Sequence, residues 1–114
     1  ELSRSQAGQF DVKQDRGGVA DIEFLAQYWA LAFAPRHAAV VMYSDTIRQL
    51  ETVASGGYVP QATVDQLTAA YRAYRARTHR LSLEDQKPIV PTTEFQTERS
   101  NVTSIWEQTL GATV

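Results

Sequence analysis

The sequence predicts an all-α fold, an antiparallel four-helix bundle preceded by a short extended segment and a Gly-Gly turn. Four separate stretches of the chain carry apolar residues at spacings of three and four, which is the period of an amphipathic helix. Glycines, prolines and short polar loops separate these stretches, and helices joined by short loops pack antiparallel to their neighbours. With 114 residues and no internal repeat or linker, residues 1–114 are predicted to form one helical domain.

The lead-in, residues 9–18, is predicted to be extended and to end in a turn. Its first residues alternate between apolar and polar side chains, the pattern of a half-buried strand: Phe10, Asp11, Val12, Lys13 and Asp15. Gly17 and Gly18 break the alternation. Before the lead-in, residues 1–8 are short and polar, and are interpreted as the tail of a helix that begins upstream.

The first complete helix is predicted from Val19 to about Ala34, where Pro35 stops it. Its inward-facing residues are predicted to be Ile22, Leu25, Ala26, Trp29, Ala32 and Phe33. Three further residues widen this apolar stripe: Phe24, Tyr28 and Leu31. A stripe this wide predicts a central helix that is buried on most sides.

The next two helices are marked by local start and stop signals. Residues 36–43 are predicted to form a turn or a short helix, and Ser44 or Asp45 then caps a helix that ends near Ser55. A longer helix is predicted over residues 61–83, because a proline precedes it and apolar residues recur along it. The predicted inward residues of this helix are Val64, Leu67, Tyr71, Tyr74, Thr78 and Leu81.

The last part of the chain is predicted to contain a connector and a fourth helix. Residues 87–91 hold two prolines and cannot be helical, so they are predicted to be extended. Residues 93–96 read Thr-Glu-Phe-Gln, a capping box that would open a helix running to about Leu110. The residues of this region that are predicted to face inward are Phe95, Val102, Ile105 and Trp106.

Composition excludes several classes of function. The 11 basic and 13 acidic residues give a net charge of −2, which argues against nucleic-acid or membrane-surface binding. With no cysteine and two histidines, a thiolate or histidine metal site is not expected, and only oxygen ligands for Mg²⁺ remain. The absence of a signal peptide and of a membrane-length apolar run leads us to expect a cytoplasmic protein. Because the sequence lacks an initiator methionine, we expect it to be part of a longer polypeptide.

Charged residues around the double glycine form the first candidate site. They are Lys13, Asp15, Asp21 and Glu23, together with Gly17 and Gly18. In a functional interpretation, the glycines let a ligand approach the backbone, and free N–H groups at the helix N-terminus and Lys13 bind phosphate. In the structural alternative, the glycines form a simple turn and the acidic residues interact favourably with the helix dipole. Asp21 and Glu23 are two positions apart, so they face different directions and are not expected to share a metal ion.

A second candidate site lies on the third helix. Arg72, Arg75 and His79 share one face, within a ten-residue stretch that contains no acidic residue. This face would dock an acidic partner or a nucleotide phosphate, or else is a solvated surface near a helix C-terminus. No catalytic triad, phosphate-binding loop or Asp-x-Asp metal pair is present, so we do not expect the chain to be an enzyme by itself.

Residues 10–28 form a specific motif, which reads Phe-Asp-Val-Lys-Gln-Asp-Arg-Gly-Gly-Val-Ala-Asp-Ile-Glu-Phe, followed by Gln27 and Tyr28. This motif resembles one found in bacterial glutamine synthetase adenylyltransferases. The resemblance continues through residues 43–51 and includes the Ala70-Tyr71 and Tyr74-Arg75 pairs and the His79-x-Leu81 element. It ends with the pattern formed by Thr93, Phe95, Glu98, Arg99, Val102 and Trp106. It covers nearly the whole chain, and the helical domain of the related uridylyltransferase of the nitrogen-signalling protein is similar.

The resemblance implies an accessory helical domain rather than a catalytic one. These enzymes have two halves, and the motif of the first half tends to have glutamate where this chain has Asp21. In this detail the chain resembles the second, adenylylating half. That half transfers AMP from MgATP to a tyrosine of glutamine synthetase, and its companion half removes AMP. The catalytic aspartates lie upstream and none maps onto this chain, so ATP and magnesium are expected in the parent enzyme and not bound to this domain alone. The residues implied to lie near substrate or catalytic domain are Lys13, Asp15, Gly17, Gly18, Asp21 and Glu23.

Two other roles remain open at this point. In the main alternative, the bundle is a pure interaction domain. Arg72, Arg75 and His79 would then dock glutamine synthetase or the PII nitrogen-signalling protein, with no part in the chemistry. In the other, the bundle only stabilises the neighbouring nucleotidyltransferase domain.

Overall fold

The computed structural model describes residues 8–33 and 45–111. The elements, in chain order, are β1 (Gln9–Asp11), α1 (Val19–Phe33), α2 (Thr46–Ser55), α3 (Gln61–Leu83), β2 (Ile89–Pro91) and α4 (Gln96–Thr109). The chain is therefore mostly helical, as predicted, with four helices and one small sheet in the described ranges. The predictions for residues 1–7 and 36–43 lie outside these ranges, and the antiparallel arrangement of the helices stays a prediction.

The two strands pair with each other, which the sequence did not predict. β1 and β2 are antiparallel, with Gln9 opposite Pro91 and Asp11 opposite Ile89. The lead-in continues this link, because the amide of Val12 donates to the carbonyl oxygen of Pro88 at 2.9 Å. The segment before α1 is therefore attached to the connector between α3 and α4.

One hydrophobic core joins the sheet and the helices. Its fully buried larger side chains are Tyr74, Phe10, Ile22, Leu25, Leu50 and Leu67, with five valines. All six predicted inward residues of α3 are buried, which confirms the three-and-four spacing there. On α2, Asp45 caps the helix as predicted, because its carboxylate accepts the amide of Arg48 at 3.1 Å.

The prediction that α1 is buried on most sides is wrong. Phe24, Tyr28 and Leu31 are 50%, 41% and 74% exposed, while the opposite face of the helix is in the core. Ala30 is buried instead of the predicted Ala32. The apolar stripe is wider than the surface that the other described elements cover.

The predicted capping box at the start of α4 is also wrong. The helix begins at Gln96, and Phe95 precedes it in the left-handed conformation, with a φ of 61° and no side-chain cap. The ring of Phe95 packs edge-on against Tyr74, with the ring centres 5.1 Å apart. The Glu94 carboxylate accepts hydrogen bonds from Arg77 Nε at 3.0 Å and from Arg77 Nη2 at 3.1 Å. We attribute the late helix start to these tertiary contacts, which hold residues 92–95 in a turn.

Candidate functional site

Two carboxylates shape the turn that follows β1. Asp11 and Asp15 are only 4% and 8% exposed. One oxygen of Asp11 accepts the amides of Lys13 and Gln14 at 3.0 and 3.1 Å, and the amide of Asp11 donates to Asp15 at 2.8 Å. These contacts explain why Asp11 is buried although the alternating pattern placed it outside. They also fix the backbone from which the exposed side chain of Lys13 extends.

Gly17 and Gly18 serve the chain's own packing. Gly17 has a φ of 81°, in the region that favours glycine. A side chain on Gly18 would place its Cβ less than 3.0 Å from the carbonyl oxygen of Val12, which real Cβ atoms essentially never do. The backbone approach that the glycines allow is therefore made by another part of the same chain.

The N–H groups around the start of α1 are occupied by protein acceptors. The amide donors and their acceptors are Gly17 to Asp21 Oδ2 at 2.8 Å, Gly18 to the Asp15 carbonyl at 3.0 Å, Val19 to the Val12 carbonyl at 2.8 Å and Ala20 to the Lys13 carbonyl at 3.0 Å. In this conformation these four amides are not open to a phosphate. The interpretation that relied on free N–H groups here is not supported by the geometry.

Asp21 and Glu23 face different directions, as their spacing predicted. Asp21 turns back to the Gly17 amide, whereas Glu23 accepts the hydroxyl of Tyr71 on α3 at 3.1 Å. Arg75 donates to the same hydroxyl at 3.0 Å, and its guanidinium carbon lies 5.5 Å from the centre of the Tyr71 ring. Arg75, Tyr71 and Glu23 thus form a polar chain that links α3 to α1.

A groove between α1, α3 and the lead-in brings the two predicted clusters together. Its volume is about 770 Å³, and its lining residues are Lys13, Gln14, Val19, Ala20, Glu23, Arg75, Ala76, Thr78, His79 and Ser82. Lys13 from the first candidate site and Arg75 and His79 from the second share this α1–α3 groove. Arg72 is exposed on the same helix but does not line it.

The other residues of the first candidate site do not line the α1–α3 groove. All four lie in or next to the turn that follows Lys13 and precedes α1: Asp15, Gly17, Gly18 and Asp21. Several of their hydrogen bonds are to backbone groups of residues 11–18, so they affect the groove through the position of the lead-in.

A second, smaller cleft continues from Lys13 along the end of the sheet. It has a volume of about 560 Å³ and is lined by Asp11, Lys13, Gln14, Lys87, Pro88 and Ile89. Lys13 and Gln14 line both clefts, so Lys13 lies between Arg75 on one side and Lys87 on the other. Three long basic side chains therefore border one continuous surface, which suits an extended anion.

Tyr71 and Lys87 were missed as site residues by the sequence analysis. Tyr71 was assigned only to the core, and Lys87 only to the connector. One signal could have identified Tyr71: Tyr71, Arg75 and His79 follow each other at intervals of four, so they lie on one face of α3. No comparable local signal exists for Lys87, because its position depends on the pairing of β1 with β2.

Metal binding is not favoured by the described residues. No group of three or more histidine, aspartate or glutamate side chains lies together in the ranges that the structure covers. Asp21 and Glu23, the acidic pair of the sequence motif, each accept a hydrogen bond from a protein donor and point apart. The groove is lined by the basic side chains of Lys13 and Arg75 together with His79, and Glu23 is its acidic lining residue. Within the same ranges, none of the helices has the length and apolar character needed to span a bilayer.

The buried side chain of Tyr74 links α3 to the turn before α1, and it leads to a prediction for the pH dependence of stability. The hydroxyl of Tyr74, which is fully buried, donates to the carbonyl oxygen of Gly17 at 2.6 Å. Burial, and secondarily the charge of Glu98, raises the pKa of Tyr74 above the ordinary tyrosine value. Because the folded state holds this proton more tightly, its contribution to stability is present below about pH 10 and is lost as the pH rises further.

We therefore expect the free energy of unfolding to fall above pH 10, and Tyr74→Phe to remove most of that fall. Denaturant titrations at pH 8 and at pH 11 measure both effects. Tyr58→Phe is the control, because Tyr58 is only partly buried and packs at the edge of the core. An alkaline loss of stability that persists unchanged in Tyr74→Phe would contradict the prediction.

The helical chain belongs to a known protein family. The model of the family described as GlnD PII-uridylyltransferase matches residues 2–107, and the chain is a member of this family. Curated relatives carry the name bifunctional glutamine synthetase adenylyltransferase/adenylyl-removing enzyme. The protein of Pasteurella multocida is 43% identical over 107 residues, 94% of this chain and 11% of that protein. The protein of Nitrosococcus oceani is 44% identical over 110 residues, 96% of this chain and 11% of that protein.

These relatives confirm the resemblance to glutamine synthetase adenylyltransferases that the sequence motifs predicted. The Pseudomonas aeruginosa protein of the same name is 43% identical over 99 residues, which are 87% of this chain and 10% of that protein. The chain thus spans about a tenth of the length of the curated relatives it matches.

Proposed function

We propose that this chain is an accessory helical domain of an enzyme that transfers AMP from MgATP to a tyrosine of glutamine synthetase. The family match and the names of the relatives support the domain assignment. In this proposal an upstream nucleotidyltransferase domain holds the metal ions and performs the chemistry. The helical domain contributes the α1–α3 groove, which binds the phosphates of the nucleotide beside that domain.

The observation that carries this role is the convergence of Lys13, Arg75 and His79 on one groove. These residues come from segments far apart in the sequence, and Glu23 is the one acidic lining residue. Its carboxylate accepts the Tyr71 hydroxyl, and the same hydroxyl accepts from Arg75. This arrangement holds Arg75 in place at the groove, where its guanidinium can bind phosphate oxygens in a fork-like geometry.

Lys13 gives the sharpest test of the groove. Its structural contacts are made by its backbone, so Lys13→Gln removes a charge without removing a contact of the fold. In the full-length enzyme we expect Lys13→Gln and Arg75→Gln each to raise the KM for ATP about tenfold, since a hydrogen bond to a charged group contributes roughly 1.5 kcal/mol. Steady-state AMP transfer to glutamine synthetase at varied ATP measures the effect.

Arg72→Gln is the matched control, because Arg72 lies on the same helix, is exposed and does not line the groove. We expect its KM for ATP to stay within about twofold of the unmodified enzyme, as is usual for a surface charge without a contact. Unchanged ATP kinetics in Lys13→Gln and Arg75→Gln would rule out a role in nucleotide binding. If Arg72→Gln and Arg75→Gln instead weaken the complex with glutamine synthetase or the PII protein, the interaction-domain alternative is correct.

A further inference from the structure

An exposed face of α1 carries large apolar side chains and no charge. Phe24, Tyr28 and Leu31 follow at intervals of four and three, and they are 50%, 41% and 74% exposed. The Phe24 ring packs against Trp106 of α4, with ring centres 5.2 Å apart, so the surface extends across both helices. We call these four residues the apolar face.

The composition of α1 shows that this face is unusual for a solvent-exposed surface. From Phe24 to Phe33 the helix contains no aspartate, glutamate, lysine or arginine. The exposed side of α3, in contrast, carries Arg72, Arg75 and Arg80. An exposed helical face is normally polar or charged, and contiguous apolar patches mark interaction surfaces.

The character of the apolar face fits a permanent neighbour better than a transient partner. Depletion of charged residues and enrichment in aromatic residues distinguish the buried centre of an interface. Lasting interfaces are more hydrophobic than those that form and dissociate. The matched segment is about a tenth of each curated relative, so some nine-tenths of those chains belong to other regions. A domain tethered in the same chain is present at a local concentration on the order of millimolar, which a separate protein does not reach.

We propose that the apolar face is buried against another domain of the same polypeptide in the full-length enzyme. This inference rests on the proposed function in one respect, namely that the chain is one domain of a longer transferase. It assigns the two sides of the domain different tasks. The α1–α3 groove is left for an anionic ligand, while the apolar face holds the domain against its neighbour.

Photo-cross-linking in the full-length enzyme tests this assignment. A photoreactive phenylalanine analogue is placed at position 31, and separately at position 83 as the control. Leu83 is 75% exposed, which matches the 74% exposure of Leu31, but it lies on α3 and is not part of the apolar face. Both positions are at the surface, so neither substitution is expected to prevent folding.

We expect position 31 to give an intramolecular cross-link to a peptide outside residues 1–114, at a yield at least fivefold above that of position 83. Cross-links that fall within residues 1–114 would overturn the proposal. A product with the mass of a dimer would identify a second copy as the occupant, and a product that requires added glutamine synthetase would identify a separate partner; either result would also overturn it. So would equal yields at the two positions. The readout is a peptide mass and not a rate, so its failure is distinguishable from a failure of the groove variants to alter ATP kinetics.

Discussion

Phe10→Ala is expected to lower the free energy of unfolding by about 4 kcal/mol, as is typical for a fully buried phenylalanine. The Phe10 ring is 0% exposed, although it lies in a strand of only three residues. It packs edge-on against Tyr74, with the ring centres 6.0 Å apart. The guanidinium carbon of Arg99 lies 4.2 Å from the centre of the Phe10 ring. The substitution would leave a cavity between the sheet, α3 and α4. Urea denaturation followed by circular dichroism measures the change.

Phe24→Ala is the matched control, with the same side chain and the same substitution at a half-exposed position of α1. Its contact with Trp106 is made at the surface, so we expect a loss below about 1 kcal/mol. Similar losses for the two variants would show that β1 is not anchored in the core as described.

Gly18→Ala is expected to lower the free energy of unfolding by about 3 kcal/mol, at the upper end of the range for overpacking. The added methyl group would collide with the carbonyl oxygen of Val12, which at the same time accepts the amide of Val19 at 2.8 Å. Relief of the collision requires the lead-in to move away from α1. Because backbone atoms are involved, side-chain rotation cannot absorb the clash.

Gly57→Ala separates this collision from the general cost of replacing glycine. Gly57 has a φ of 80°, and a Cβ added there would meet no atom within 4 Å. Its replacement is expected to cost only about 1 kcal/mol, the penalty for a left-handed alanine. The comparison uses the same denaturation experiment. A Gly18→Ala loss no larger than that of Gly57→Ala would mean that the lead-in adapts freely, and that Gly18 is not required for the turn.

The helices were predictable because their signals are local. Val19 was predicted as the first residue of α1 from the glycines before it, and Ser44 or Asp45 as the cap of α2, of which the structure has Asp45. The limits of α3, residues 61–83, follow from a proline at one end and a continuous three-and-four spacing. In each case the deciding residues are close together in the sequence, so periodicity and capping preferences are sufficient.

The start of α4 and the exposure of α1 were not predictable in this way. The capping signal at residues 93–96 was overridden by the packing of Phe95 on Tyr74 and by the pairing of Glu94 with Arg77. Both contacts join residues that are distant in the sequence. On α1, the apolar stripe indicates that a surface is suited to burial, but it does not say which element buries it. Leu31 satisfies the pattern and is nevertheless exposed.

The candidate site was predicted in its parts but not as a whole. Lys13, Arg75 and His79 were each selected from charge and spacing, in two clusters with separate roles. Only the packing of α1 against α3 places them around one groove. At the N-terminus of α1, the sequence analysis considered backbone amides that are free to bind a ligand. In the structure, carbonyl oxygens of residues 12–15 accept hydrogen bonds from these amides.

The pairing of β1 with β2 has a consequence for the order of folding. The strands are far apart in the sequence, so their pairing requires the closure of a long loop, whereas each helix forms through local contacts. The helices are expected to form first, and the lead-in to join once α3 and its connector are in place. The Val12 amide, bonded to Pro88, would then exchange its hydrogen with solvent only when the whole domain opens. The surface around Lys13 would be the last part of the molecule to be completed, because the backbone before it is held by the Val12–Pro88 hydrogen bond.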